Sequence, residues 1–313
     1  MSDDDAHIKI FREHHGLLFG IAYRMLGSVM DAEDILQESY LAWSQTQPES
    51  IAVPAAFLRT IVTRRCMDHL KSARVRREQY VGPWLPEPFV RESIAFDPLA
   101  NAVDPTQDVA ANYEREELLS ESLTIAFLVL LESLNPVERA VYLLREVFAI
   151  DFEEIAGIIE KSPENCRQIL HRAREAVNAR RKRFAPPAPD AARRMLEQFL
   201  QAARSGEVLE FAGVLAEDVR LFSDGGGVVT AARNVIHGLD HVARFQIGVI
   251  KFVPPDARLD FAEVNGRPGF MVWTGRGLYA VLSIDFAPDG RIENIYSILN
   301  PEKLRHFTRS VQD

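Results

Sequence analysis

The sequence predicts a multidomain chain: two all-α domains, the second with a helix-turn-helix, followed by an α+β domain with a curved antiparallel sheet. Three observations predict it. Apolar residues recur at helical spacing through residues 7–77 and again through 114–183. Short strand-like runs separated by Gly, Pro and Asn turn signals fill residues 219–299. Pro-rich stretches without periodicity separate these parts. The divisions are residues 1–77, a linker at 78–113, a second helical domain at 114–185, a stiff Pro-rich linker at 186–189 and the α+β domain at 190–313. With 313 residues and 47% hydrophobic content, the chain has material for two or three cores.

In the first part, Phe11, His14, Leu17, Leu18, Ile21 and Ala22 make one apolar stripe. Gly27 and Ser28 break it. A second helix begins near Asp31 with acids that suit its N-terminus. Its Ile35, Tyr40 and Trp43 point inward, and Asp31, Glu33, Asp34, Gln37 and Glu38 form an exposed acidic-polar surface. After Pro48 and Pro54, a third helix buries Leu58, Ile61, Val62, Cys66 and Leu70. It carries Arg64, Lys71 and Arg74 on the opposite side. An acidic helix joined to a basic one suggests two partners, one protein and one nucleic acid; two solvated faces are the plain alternative.

In the second part, Asn135 and Pro136 start a helix that leads into the helix-turn-helix. Phe152, Ile155, Ile158 and Ile159 form one apolar face, with Ala156 small at the crossing. Ser162 and Pro163 have the chemistry of an N-cap and first helical residue. In the helix they open, Cys166, Ile169, Leu170 and Ala173 face inward. Glu164, Asn165, Arg167, Gln168 and His171 are left outward at its N-terminal end, where a recognition helix meets base edges. Arg172, Arg174 and the run Arg180, Arg181, Lys182 and Arg183 suit phosphates. Glu160 sits where the turn often has Gly. An ordinary amphipathic helix pair is the alternative.

The last part predicts a helix at 191–203, strands at 219–222, 228–235, 259–264, 269–274, 278–286 and 292–299, and a helix at 239–245. Turns are predicted at Asn265-Gly266 and Pro288-Asp289-Gly290. Such a cone can enclose a pocket, and a small ligand is a candidate partner, with Phe222, Trp273 and Tyr279 as candidate lining residues. Asp224, His237, His241 and Asp285 are available for acid/base work, yet no spacing pairs them. No catalytic residue, metal or cofactor is therefore assigned. Asp224, Gly225, Gly226 and Gly227 read as a tight turn with close backbone approach, not a phosphate loop. In the first linker, Trp84 and Leu85 are costly to leave wet, so that segment is expected to dock.

The net charge of −9 is unevenly spread. Positive residues concentrate at 59–77 and 167–183, and screening over ~8–10 Å makes local patches decisive for phosphate binding. Two cysteines, Cys66 and Cys166, make neither a disulfide framework nor a zinc site. No apolar run reaches the ~20 residues that span a bilayer, so no membrane partner is expected. The acidic first residues do not read as a signal peptide, and a cytoplasmic setting fits.

The acidic segment 31–38 and the helix at 57–74 resemble region two of extracytoplasmic-function sigma factors. Residues 133–174 resemble region four, and the last part is similar to a SnoaL-like domain. The combination resembles sigma factors of the J type. Three signatures match: Trp84, Leu85, Pro86, Glu87 and Pro88; Asp224, Gly225, Gly226 and Gly227; and Asn300, Pro301, Glu302, Lys303 and Leu304, with Glu302 where the group usually has Asp. The resemblance implies that Asp31, Glu33, Asp34, Gln37 and Glu38 grip the β′ coiled coil of core RNA polymerase. It implies that Arg64, Arg65, His69, Lys71 and Arg74 bind the melted minus-ten element of promoter DNA. The helix-turn-helix would read the minus-thirty-five element, and the β flap would be a further polymerase contact. The three signatures are expected to form an interdomain regulatory contact, with the C-terminal domain modulating activity without catalysis. A stand-alone helix-turn-helix regulator with a sensing domain, and a DNA-binding module fused to a SnoaL-type isomerase or cyclase, are the competing readings.

Overall fold

The structure, a computed structural model, describes residues 3–77, 80–90, 119–179 and 188–307. The chain divides into two compact units: Met1–Glu78 with Glu92–Arg181, and Gln79–Arg91 with Lys182–Asp313. Part of the predicted linker thus folds with the C-terminal domain.

In the first unit, α1 (Asp3–Leu26), α2 (Val29–Ser44) and α3 (Pro54–Arg77) pack together. Gly27, at φ 68°, ends α1. Ser28 then caps α2 by accepting the Asp31 N–H at 3.0 Å. Trp43 is fully buried, donates to the His7 carbonyl at 3.1 Å and packs beside Phe57. The second helical group comprises α4 (Ile125–Leu131), α5 (Pro136–Tyr142), a π-helical turn at Leu143–Val147, α6 (Phe152–Ile159) and α7 (Pro163–Asn178). Asn135 and Glu138 form a reciprocal capping box at the start of α5.

The two helical groups are packed against each other. Arg24, on α1, is almost completely buried, donating to Ser122 Oγ at 2.7 Å, the Leu119 carbonyl at 3.0 Å and the Gly20 carbonyl at 3.1 Å. Burial pulls its guanidinium down to about 9, so it is still charged at neutral pH. Arg139, from α5, reaches back to the Met25 carbonyl at 2.7 Å.

The second unit contains α8 (Pro189–Ser205), a 3₁₀ turn at Val208–Gly213, β1 (Leu215–Asp224), β2 (Ile236–His237), α9 (Leu239–Ile250), β3 (Arg258–Val264), β4 (Arg267–Thr274), β5 (Gly277–Phe286), β6 (Ile292–Ile298) and a short α10 (Pro301–Leu304). The strand order is β2-β1-β6-β5-β4-β3. The sheet is mixed, which corrects the antiparallel expectation: β1 runs parallel to β6, and the other pairs are antiparallel. The long excursion through β2, α9 and three more strands is what permits that parallel pairing. The expected strand at 228–235 is also corrected. The triple-glycine turn and the irregular run after it leave only Ile236 and His237 paired, opposite Leu221 and Arg220. Helix α9 runs five residues further than the predicted end at 245.

One face of the sheet packs against α8 and α9 through Leu196, Phe199, Phe211, Val242, Phe270, Ile284 and Ile295. Gly269 has a steric reason: a Cβ there would come within 2.0 Å of the Leu282 carbonyl oxygen. Asn265 and Gly266, both at positive φ, close the β3–β4 hairpin as the turn chemistry requires.

Candidate nucleic-acid interface

The helix-turn-helix is built from local rules. Asp151 caps α6 by accepting the Glu154 N–H at 2.7 Å, and Ser162 caps α7 by accepting that of Asn165 at 3.2 Å. Between them Glu160 adopts the left-handed conformation, φ 55°, that glycine takes without strain. Ile155, Ala156, Ile158 and Ile159 pack with Cys166, Ile169, Leu170, Ala173 and Val177, all buried. Each buried isoleucine or leucine there contributes roughly 1.5–3 kcal/mol. Glu164, Asn165, Arg167, Gln168, His171, Arg172 and Arg174 are exposed along the other side of α7. Arg174 is engaged by Glu146 through two contacts of 2.7 and 3.1 Å. His171 lies 3.6 Å from Glu175. The run at 180–183 lies outside the described residues.

The basic helix α3 departs from the sequence reading. Arg64 does not lie with Lys71 on an open basic face. It turns toward α6, donating to the Gly157 and Ile158 carbonyls at 2.8 and 2.9 Å and pairing with Glu160 at 3.1 Å. A guanidinium at a helix C-terminus meets the unsatisfied carbonyls and the negative end of the helix dipole. One turn earlier, Arg59 grips Glu154 of α6 with two hydrogen bonds, 2.7 and 2.8 Å. Sequence reasoning missed Arg59, Glu154, Arg24 and Arg139. The one available signal was Arg24, a lone charge inside the apolar run from Ile21 to Leu26.

The acidic and basic stripes of the first group also touch, so they are not the two separate surfaces expected. Arg65 pairs with Glu38 at 2.5 Å, and His69 lies 3.4 Å from Asp31. Lys71 pairs with Asp68 at 2.7 Å. The side chain of Arg74 lies outside those described. Asp34, Gln37 and Glu38 stay exposed on α2. Beside them, Phe11, His15, Glu33, Leu36, Gln37, Tyr40 and Leu41 line a groove of about 380 Å³ between α1 and α2. Leu41 is 61% exposed at its edge.

In the second unit the three signatures converge on one buried carboxylate. Asp224 has no exposed surface. It accepts the Tyr80 hydroxyl at 2.5 Å, the Leu85 N–H at 2.8 Å, the Gly226 N–H at 3.0 Å and the Lys303 ammonium at 2.7 Å. Burial, and the neighbouring Asp224, push the Tyr80 hydroxyl well up, so it stays a donor. Lys303 also donates to the Leu85 carbonyl and sits 4.4 Å over the Trp84 ring. Asn300 donates to the Tyr80 hydroxyl at 2.9 Å and caps α10. Glu302 contributes its backbone N–H, its side chain being exposed. The glycines give the approach: a Cβ on Gly226 would meet Asn300 Nδ2 at 2.3 Å, and one on Gly225 the Val229 carbonyl at 2.5 Å. Leu85, Pro86, Glu87 and Pro88 are buried, with Pro301 exposed and Leu304 buried nearby in α10. Phe89 exchanges hydrogen bonds with Asn265, and Val90 bridges to Val264, covering the edge of β3.

Asp224, His241 and Asp285 have different partners. Asp224 is enclosed as described. His241 lies 3.2 Å from the His237 carbonyl. Asp285 is held by Asn294 at 3.2 Å and lies 3.6 Å from Arg267. Phe222 stacks on Tyr296 at 5.0 Å, whereas Tyr279 packs against the helix-facing core, so the proposed lining residues do not share one cavity.

Known proteins share both the helical parts and the full-length architecture. Residues 10–76 match the Sigma-70 region 2 family and residues 124–177 match Sigma-70, region 4. The ECF RNA polymerase sigma factor SigJ of Mycobacterium tuberculosis is 32% identical over 309 residues, covering 95% of this chain and 92% of that one. SigI of the same organism, a probable ECF RNA polymerase sigma factor, is 29% identical over 308 residues and 97% of both chains. The crystal structure of M. tuberculosis SigJ aligns with a TM-score of 0.70 at 30% identity, over 96% of this chain and 98% of that chain. Among the described residues, no helix is long and apolar enough to cross a membrane.

Proposed function

Because the chain belongs to the extracytoplasmic-function RNA polymerase sigma factors, transcription initiation factors that bind core polymerase and promoter DNA, we propose that its promoter reading is gated by contacts between its own two helical groups. The observation that carries this is Arg64. A side chain assigned to the melted minus-ten strand is occupied by the end of α6, inside the helix-turn-helix assigned to the minus-thirty-five element.

Length supports the gate. The two promoter elements are separated by about 80 Å at 3.4 Å per base pair. A compact unit of the size that holds both helical groups is roughly 40 Å across. Reading both elements therefore requires Arg59–Glu154 and the Arg64 contacts to separate. Core polymerase supplies the free energy by binding the separated form better. In this reading Asp31, Glu33, Asp34, Gln37 and Glu38 meet the β′ coiled coil, and the second helical group meets the β flap. Arg65, His69, Lys71 and Arg74 join Arg64 on the melted strand. Glu164, Asn165, Arg167, Gln168, His171, Arg172 and Arg174 face the duplex. The α+β unit acts without catalysis. By holding residues 80–90 it fixes one end of the connection between the two groups and biases their separation.

Run-off transcription with core polymerase tests this, comparing the full-length protein, Arg59→Ala and a chain ending at Pro189. Transcripts that depend on the protein, raised by Arg59→Ala and altered by the truncation, are the expected result. Unchanged output from the truncated chain removes the α+β unit from regulation. Duplex binding without polymerase, and no transcripts, would point to a stand-alone regulator.

A further inference from the structure

Phe152 opens α6 and carries two guanidinium groups. Arg145, from the π-helical turn, places its Cζ 4.8 Å from the ring centroid, and Arg167, from α7, places its Cζ at 5.0 Å. Arg145 is further fixed by donating to the Ile150 carbonyl at 3.0 Å. Arg167 is about half exposed, and its nearest carboxylate, Glu164, is only loosely paired at 3.9 Å. Two like charges gathered at one partly exposed ring repel each other modestly in water, by about 1 kcal/mol or less. Each cation–ring contact returns about 0.5–1 kcal/mol. The arrangement therefore stands in the free protein, with both guanidinium groups fixed by one ring.

We infer that Phe152 is a positioning residue for promoter recognition: it holds the Arg167 fork in the attitude for reading a base and sets Arg145 beside it as a phosphate contact. This rests on the reading of α7 as the helix that meets the minus-thirty-five element. A free arginine loses rotamer entropy when its fork is ordered on a guanine edge, and a fork already stacked has less to lose. The ring acts before DNA arrives, so its effect falls on discrimination at one base step. Arg145 carries no base information, and its loss acts on all promoters alike. Arg145 was not among the residues assigned to DNA from sequence, because it lies before the helix-turn-helix and outside the outward stripe of α7.

The test uses full-length protein with core polymerase and promoters carrying every single-base change in the minus-thirty-five element. Phe152→Leu keeps apolar bulk and removes the aromatic face; Phe152→Trp keeps the face. We expect Phe152→Leu to cut discrimination three- to tenfold at the same base step that Arg167→Ala affects, with Phe152→Trp restoring it. Arg145→Gln is expected to weaken all promoters by a common factor and to lower the salt slope by about one. Wild-type discrimination in Phe152→Leu overturns the inference. So does uniform weakening that Phe152→Trp fails to rescue, which would make the ring ordinary core. If the wild-type protein ignores the minus-thirty-five sequence, the reading of α7 itself fails, and that outcome is visible without any variant.

Discussion

Each unit contains one charged junction, and the two differ in depth. Asp224 has no solvent exposure and receives four donors from three parts of the chain. At the junction of α3 with α6, the side chains of Arg64 and Glu160 are 42% and 76% exposed. A buried carboxylate with every lone pair used is costly to release, since each broken contact leaves a polar group unsatisfied in a dry site. The Arg64–Glu160 pair can exchange with water at little cost. Depth separates a fastening that resists water from one that water can replace.

The largest expected effect lies at the buried junction. Asp224→Ala should destabilise the α+β unit by about 3–5 kcal/mol, because it removes the carboxylate that neutralises the buried Lys303 ammonium. Urea unfolding measures the loss, and protease cutting within residues 80–90 reports release of the linker. A change below 1 kcal/mol would show that water replaces the carboxylate and would erase the contrast. Next comes the Arg59–Glu154 pair, with side chains 14% and 22% exposed. A double-mutant cycle should return a coupling of about 1 kcal/mol in stability, and each single substitution should raise transcription several-fold. Lowered activity in Glu154→Ala would show that the contact serves polymerase binding.

Two smaller effects sharpen the comparison. Glu160→Gly relieves left-handed backbone strain at the end of α6 while removing the pair with Arg64, so net stability should change by less than about 1 kcal/mol. Its transcription should rise if the pair counts toward the closed form. Burial holds the His306 imidazole below its ordinary value of 6.5, next to the Pro88 carbonyl. The folded state binds fewer protons there than the unfolded chain. The contribution to stability is complete above about pH 6.5 and is lost as pH falls below that through the folded-state value. Unfolding midpoints at pH 7.5 and 5.5 should differ more for wild type than for His306→Gln, and equal slopes would remove His306 from the linker contact.

Local rules made much of the helical fold legible. The inward set Cys166, Ile169, Leu170 and Ala173 is buried as its spacing requires, and Asn135 and Ser162 cap as their side chains allow. Asn265-Gly266 marked its hairpin for the same reason. The parallel pairing of β1 with β6 left no mark, because nothing in either strand records its neighbour's direction. The strand expected at 228–235 failed because Val228 and Val229 have strand propensity but no partner strand beside them. At the candidate site, the outward stripe of α7 follows from periodicity alone. The Arg64–α6 contact does not, since it depends on how two helical groups distant in sequence pack within one unit. Phe152 carried an apolar reading that was incomplete: the spacing located its ring, and only the fold brought Arg145 to it.

The fastening at Asp224 also has a place in time. Lys303 follows Leu85 by 218 residues. At about 5–20 residues per second of synthesis, the linker waits roughly 10–40 s for the residue that closes over it. Both helical groups are complete while the nascent chain still lacks its last strand. A newly made molecule therefore passes through an interval in which both helical groups exist and the enclosure of Asp224 does not.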